Sequence, residues 1–288
     1  MATTIRSISE DSEYYAKSFK IIKPQLTRIQ ADLDKIFEKT IPKKVIVRER
    51  GLKVLGIGSG SGELELKHTL QLLRTFPQIS LTSIEPVPDH LDEYKQLVAK
   101  EADTLKSVTY DWRQQTLDQY RHEVGASKKY DVIVSINSVY YFDDVEDSMI
   151  YLRDILEDDG ILIIVLVSEN GMTYRLWDRF PHLYDASHFH RICSLHLLDV
   201  LQKCNIKYDS ERIRSDVDLT ECFIEGSEDG QYLLDFVSHV IDLRGSTSPE
   251  CYSEFVSFLK ESTRKDSTEE NGVRWVFVTE QEVLYIHK

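Results

Sequence analysis

The sequence predicts an α/β fold, a largely parallel sheet with helices on both faces that closes on a late antiparallel strand. Three observations lead there. Short apolar runs alternate with amphipathic stretches, the rhythm of strands joined by helical crossovers. The first apolar run, Leu52 to Ile57, ends in a glycine-rich turn with a helical stretch directly behind it. The last run, Trp275 to Ile286, reads as a final strand and not as one more crossover unit.

The elements follow in order. Residues 9–40 read as helical, because Tyr15, Phe19, Ile22, Leu26, Ile29, Leu33 and Ile36 recur at three- and four-residue spacings. Pro24 is expected to kink or split this stretch. Strands are expected over 52–57 and near 80–85, 107–110, 130–136 and 160–167, with helices near 63–76, 88–102 and 145–158 between them. Ser194 is expected to cap a helix over 195–204. Strand-like runs near 206–213 and 273–287 complete the sheet. Two stretches depart from this rhythm. The segment 168–190 carries Met172, Tyr174, Trp177, Phe180, Tyr184 and Phe189 without a clear aromatic period, and reads as a lid over a pocket. Residues 214–262 add helical material with a break at Gly226 and Gly230. The whole of 1–288 is expected to be one domain, with a helical cap at about 9–40 and inserted elements near 168–190 and 214–262 on the substrate side.

Composition narrows the function. Thirty-five basic residues against 49 acidic ones give a formal charge of −14, which repels phosphate backbones and argues against a nucleic-acid partner. No apolar run reaches the ~18 residues needed to span a bilayer, and the first residues lack the apolar core of a signal peptide. Cys193, Cys204, Cys222 and Cys251 form no CxxC pair and have no histidine at ligand spacing, so reduced thiols in a cytoplasmic protein without a structural metal are expected. The nine histidines are scattered, and the close pair His188 and His190 reads as part of an aromatic loop.

The most informative motif is Val54-Leu55-Gly56-Ile57-Gly58-Ser59-Gly60-Ser61-Gly62-Glu63. Glycines at such a strand-to-helix turn let the backbone approach a ligand, and the helix start offers free N–H groups. Alone the motif fits a dinucleotide loop, a nucleoside loop or a tight turn. Ser83-Ile84-Glu85-Pro86 sharpens it, because Glu85 lies 23 residues beyond Gly62 at the end of the next strand, where a carboxylate can accept from both ribose hydroxyls. The spacing is GxGxG and not the GxGxxG of a dinucleotide fingerprint. Together with the late strand, it favours S-adenosylmethionine over NAD.

Over nearly the whole chain the sequence resembles the histamine N-methyltransferase family. The resemblance rests on Tyr15-x3-Phe19, Ile57 to Glu63, Glu85-Pro86, Lys95 to Lys100, the pair Tyr140-Tyr141, Leu176-Trp177, Phe180-Pro181, Glu221 to Gly226 and Leu234-Asp235-Phe236. It implies a seven-strand Rossmann-like methyltransferase sheet with helices on both faces and a C-terminal antiparallel strand. It also implies S-adenosyl-L-methionine as cofactor, and a small amine, histamine or a related imidazole amine, as substrate of a cytoplasmic monomer; the alternatives are a same-fold methyltransferase acting on a different small molecule and a non-catalytic cofactor-binding homologue. Carried over residue by residue, it implies cofactor contacts from Gly58, Gly60, Glu85, His90, Thr116 and Ile136, with Gly58 against the methionine portion. The substrate side would comprise Tyr15, Phe19, Arg28, Asn137, Tyr140, Tyr141, Trp177, Phe180, Phe236 and Thr279, with Asn137 the catalytic group.

Three positions depart from the family. Arg28 or Ile29 stands where the family has a glutamate for the ammonium, and Asp32 and Asp34 are the nearest acids. Asn137 replaces a glutamine and Thr279 an asparagine. An ammonium without its carboxylate loses about 1.5–3 kcal/mol, so histamine is expected to bind more weakly than is usual in the family.

Overall fold

The computed structural model describes residues 5–185, 189–268 and 272–288. His188 and part of the expected lid lie outside them. The chain divides into two compact units.

The larger unit comprises Ala31–Leu166, Ile192–Arg212 and Glu282–Lys288. Strands β1 (Leu52–Ile57), β2 (Ile79–Ile84), β3 (Val108–Arg113), β4 (Tyr130–Ile136), β5 (Leu156–Val167), β6 (Tyr208–Asp218) and β8 (Gly272–His287) follow the order β3-β2-β1-β4-β5-β8-β6. The pairs β1–β2, β1–β4, β2–β3 and β4–β5 are parallel. Burial on both faces explains the apolar runs of β1, β4 and the second half of β5: Leu55, Val132, Ile133 and Ile161 to Ile164 are fully buried, whereas β3 is mostly half-buried. The order reverses between β1 and β4, and ligands of open α/β sheets bind at the carboxyl ends of such strands.

Helix α1 (Ser12–Ile22) passes through a 3-10 turn at Lys23–Leu26, which holds Pro24 at its start, into α2 (Thr27–Lys35); a π-helical turn then leads to α3 (Ile41–Lys44). The expected proline break is therefore present. The crossover helices are α4 (Glu63–Leu72), α5 (Pro88–Lys100), α6 (Leu117–Val124) and α7 (Val145–Asp154).

Strand β5 starts four residues before its expected position. The acidic run Glu157 to Asp159 forms an irregularity between the pairs Tyr130–Leu156 and Val132–Ile161. Arg50 reaches Glu157 at 3.0 Å and donates to both oxygens of the buried Asp131 at 2.8 Å, while Arg48 pairs with Asp159. Opposite charge thus lets an acidic run serve as strand.

The smaller unit comprises Met1–Gln30, Val167–Arg191 and Ile213–Gln281. It contains α1, α8 (Met172–Arg179), a 3-10 turn at Pro181–Leu183, α10 (Glu228–Ser238), α11 (Leu243–Ser246), α12 (Pro249–Ser262) and β7 (Arg264–Thr268), which pairs antiparallel with the start of β8. The preceding helix, α9 (Ser194–Lys203), belongs to the larger unit.

Four expectations change. The aromatic segment is helical over α8, with Trp177 and Phe180 buried, so it does not read as an open lid. Gly230 is no break: it lies within α10, where a Cβ would come within 2.0 Å of the Glu221 carbonyl oxygen. Cys193, not Ser194, caps α9, where its N–H donates to His196 Nδ1 at 3.1 Å. Strand β7 adds a hairpin that the sequence did not announce.

Candidate functional site

The loop 58–62 between β1 and α4 holds three glycines at positive φ, Gly58 at +67°, Gly60 at +55° and Gly62 at +79°. Their reasons differ. A Cβ on Gly58 would meet Ser138 Cβ at 2.4 Å, and one on Gly62 would strike the Tyr94 ring at 2.0 Å. At Gly60 nothing lies within 4 Å, so this is where the backbone is open to a ligand. The α-carbon expected to lie against the methionine portion, that of Gly58, is thus covered by Ser138.

Glu85 follows β2 and is buried. Its Oε2 accepts from the Gly60 N–H at 2.8 Å and its Oε1 from the Val87 N–H at 2.9 Å. An ionised carboxylate has about four acceptor positions, so capacity remains for two hydroxyls. Ser83 Oγ donates to Ser59 Oγ at 2.7 Å and further braces the loop. His90 Nδ1 lies 3.8 Å from Glu85 Oε1, and that carboxylate raises the imidazole pKa above its ordinary value. Open backbone, a helix start and a buried acid with spare acceptor positions fit a nucleoside-bearing cofactor. Gly60, Glu85 and the first N–H groups of α4 would hold it.

Ile136 and Asn137 stand at the carboxyl end of β4. Asn137 is left-handed (φ +52°), a conformation asparagine tolerates better than most residues; its N–H donates to the Val165 carbonyl at 2.8 Å. The Tyr140 hydroxyl donates to Asn137 Oδ1 at 3.5 Å. Tyr140 is buried and Tyr141 is 56% exposed. The Tyr141 phenol pKa is raised, first by desolvation and then by the charge of Glu85. A cavity of about 210 Å3 runs along this end of the sheet, lined by Gly58, Ser59, Glu65, His68, Ile136 and Asn137 among others. Burial pushes Glu65 up to about 7 and His68 down to about 3. Thr116 caps α6, its Oγ1 accepting from the Gln119 N–H at 3.2 Å.

In the smaller unit, Tyr15 and Phe19 of α1 and Phe236 of α10 form a half-buried ring triangle, each pair of centroids 5.9 Å apart. Trp177 packs 5.0 Å from Phe189 and 6.3 Å from Tyr184. Phe180 lies 5.1 Å from Phe255 and 5.5 Å from Phe258, at 2% exposure, which makes it core and not pocket lining. Thr279 is buried on β8. Arg28 is exposed. Asp32 is held by Lys35 and Asp34 by Lys67, each at 2.6 Å. Each acid thus already pairs with one lysine, while Asp34 Oδ1 is buried without a hydrogen-bond partner among the described residues.

Sequence reading missed Ser138, whose Oγ donates to the Ile57 carbonyl at 2.7 Å and ties β4 to the glycine loop. It also missed Asp235. The signal for Asp235 was present, an acid between Leu233, Leu234, Phe236 and Val237 in a helix.

Comparison with known proteins agrees with this geometry. Residues 26–211 match the family model described as a methyltransferase domain. The chain is 32% identical to histamine N-methyltransferase B of Xenopus laevis, covering 92% of this chain and 94% of that one. It is 30% identical to carnosine N-methyltransferase 2 of Gallus gallus, covering 91% and 84%. Among solved structures, a putative methyltransferase of Bacillus halodurans superposes with a TM-score of 0.53 at 12% identity over 86% of this chain and 96% of that one. The plantazolicin methyltransferase BpumL, solved with SAH, gives 0.52 at 12% identity over 98% and 92%. At such identities the two structures establish the fold.

Proposed function

The chain belongs to the histamine N-methyltransferase family, and from that membership we propose that it methylates a nitrogen of a small imidazole amine, with histamine the leading substrate. It is an S-adenosylmethionine-dependent N-methyltransferase. The observation that carries the reading is the open backbone at Gly60 tied to the buried Glu85.

S-adenosylmethionine, when bound, supplies a methyl group on a positively charged sulfur that leaves readily. Glu85 accepts from the ribose hydroxyls with the acceptor positions that Gly60 and Val87 leave unused. An imidazole has an unperturbed pKa of ~6.5 and is mostly neutral at pH 7, so no strong base is required. A neutral imidazole has one N–H and one bare nitrogen. Asn137 Oδ1 accepts from the N–H, which turns the other lone pair toward the methyl group; Tyr140 steadies Asn137 from the side. Such orientation supplies several kcal/mol, up to roughly 7–11 in favourable cases. The proton stays on the nitrogen facing Asn137 until the methylated ring is released to water. By the family resemblance, Tyr15, Phe19 and Phe236 are aromatic residues of the amine-binding surface, where stacking and cation–π attraction supply about 0.5–2 kcal/mol each.

A second imidazole amine is favoured by one observation. Arg28, which is exposed, stands where the family has its carboxylate, and each nearby aspartate already pairs with a lysine. A cytoplasmic location is proposed from four cysteines that form no CxxC pair, and a monomer from the family resemblance; sedimentation tests its size.

The deciding experiment supplies methyl-labelled cofactor with a panel of histamine, carnosine and imidazoles lacking an ethylammonium tail. Label should enter the imidazole amines, with little difference between tailed and tailless ones. Cofactor binding without transfer to any panel member would overturn the substrate reading, and absent cofactor binding would overturn the site.

A further inference from the structure

We propose that Tyr14 and Asp235 are positioning residues that set the ring triangle of Tyr15, Phe19 and Phe236 for the amine, an inference that rests on the triangle being the amine-binding surface. Asp235 is 1% exposed. The Tyr14 hydroxyl donates to its Oδ2 at 2.5 Å. The N–H of Asp242 donates to the same oxygen at 3.0 Å and the N–H of Leu243 to Oδ1 at 2.9 Å. One carboxylate thus holds α1, through Tyr14, and the turn that follows α10.

The two bonded residues are sequence neighbours of two triangle residues, Tyr15 and Phe236. Consecutive positions on a helix point about 100° apart, so the polar pair grips one flank while the rings meet on the next. The register of α1 against α10 is then fixed beside the rings. Apolar packing alone tolerates sliding, whereas a hydrogen bond to a buried carboxylate does not. The Tyr14 ring also packs 5.3 Å from that of Tyr232, one helical turn before Asp235. Further along, the Ile8 N–H donates to the His239 carbonyl at 3.1 Å and Ser7 bridges to Val240, so the chain before α1 is laid on the turn after α10.

A hydrophobic helix contact needs no buried carboxylate, and burial pushes that of Asp235 up to about 6 despite its three donors. Placements that cost stability are expected where geometry serves function.

The test uses the full chain with histamine as probe and compares Tyr14→Phe, Asp235→Asn, the double variant and Phe236→Ala. Tyr14→Phe should raise the KM for histamine by ~5–10-fold, part of the roughly ten- to hundred-fold that one hydrogen bond to a charged group is worth, with kcat and cofactor Kd unchanged. The effects of Tyr14→Phe and Asp235→Asn should be less than additive in the double variant, because both act on the same bond. Additive effects would overturn the proposal. So would a normal KM in Tyr14→Phe while Phe236→Ala raises it, a result that leaves the amine surface intact. A normal KM in both would remove that surface as well. A loss of cofactor affinity in step with a lowered Tm would reduce the pair to general stability and overturn the positioning role.

Discussion

Glu85 has two duties, to the loop through the Gly60 and Val87 N–H groups and, as proposed, to the ribose. Glu85→Ala should therefore weaken cofactor binding by about 1.5–3 kcal/mol, roughly ten- to a hundred-fold, read by calorimetry. Glu85→Gln, which keeps one acceptor oxygen, should lose less. Unchanged affinity in Glu85→Ala would remove it from the site. Glu85 was legible in the sequence because strand, glycine turn and acid occur at fixed local spacing. The burial of Asp235 was legible in its apolar neighbours, but its pairing was not, since its partner Tyr14 lies 221 residues away. Asp32 and Asp34 show the opposite failure. Their position in the chain made them candidates, and only the packed structure reveals the lysines that hold them.

At the scale of elements, α8 shows how composition can mislead. Six bulky residues in an apparently aperiodic stretch suggested a lid, but Met172, Leu176 and Phe180 recur every four residues, and that is the helical signal. Buried on α8, Trp177 belongs to the packing of the smaller unit. Trp177→Ala should cost ~3–5 kcal/mol in denaturant unfolding. Unaltered stability with a raised KM would restore the lid. Strands β1, β2 and β4 were readable to within a residue, because burial leaves largely apolar runs between polar turns, whereas β3, half-buried and partly polar, runs three residues beyond its expected end. The start of β5 was not readable, since its acidic run is neutralised by arginines that precede β1.

For the whole molecule, buried titrating groups pull stability in opposite directions. Burial lowers His68 to about 3 and His239 to about 4, both below the ordinary value of ~6.5. The unfolded chain takes up these protons first, so the contribution of the histidines is complete above about pH 6.5 and is lost as pH falls toward their folded values. For His68 the loss by pH 5 is about 2 kcal/mol. Burial raises Glu65 to about 7 and Asp235 to about 6. Acids raised in this way bind protons more tightly when folded, so their contribution is present at low pH and declines as pH rises through those values. The two trends offset, and stability should vary little between pH 5 and 7. His68→Leu should unmask the acid slope, with Tm rising from pH 7 to pH 5. A variant whose pH profile parallels the wild type would show that His68 is not buried neutral.

The bond from the Gly60 N–H to the buried Glu85 braces the loop from within. A loop held by its own bonds favours tight binding. The same bond is blind to chemistry. Ribose and backbone contacts do not change when the sulfur gives up its methyl group, so the spent cofactor should occupy the loop about as well as the fresh one. Turnover in the cell would then follow the ratio of the two forms more than the amount of either, and an enzyme built this way slows whenever its own waste is not cleared.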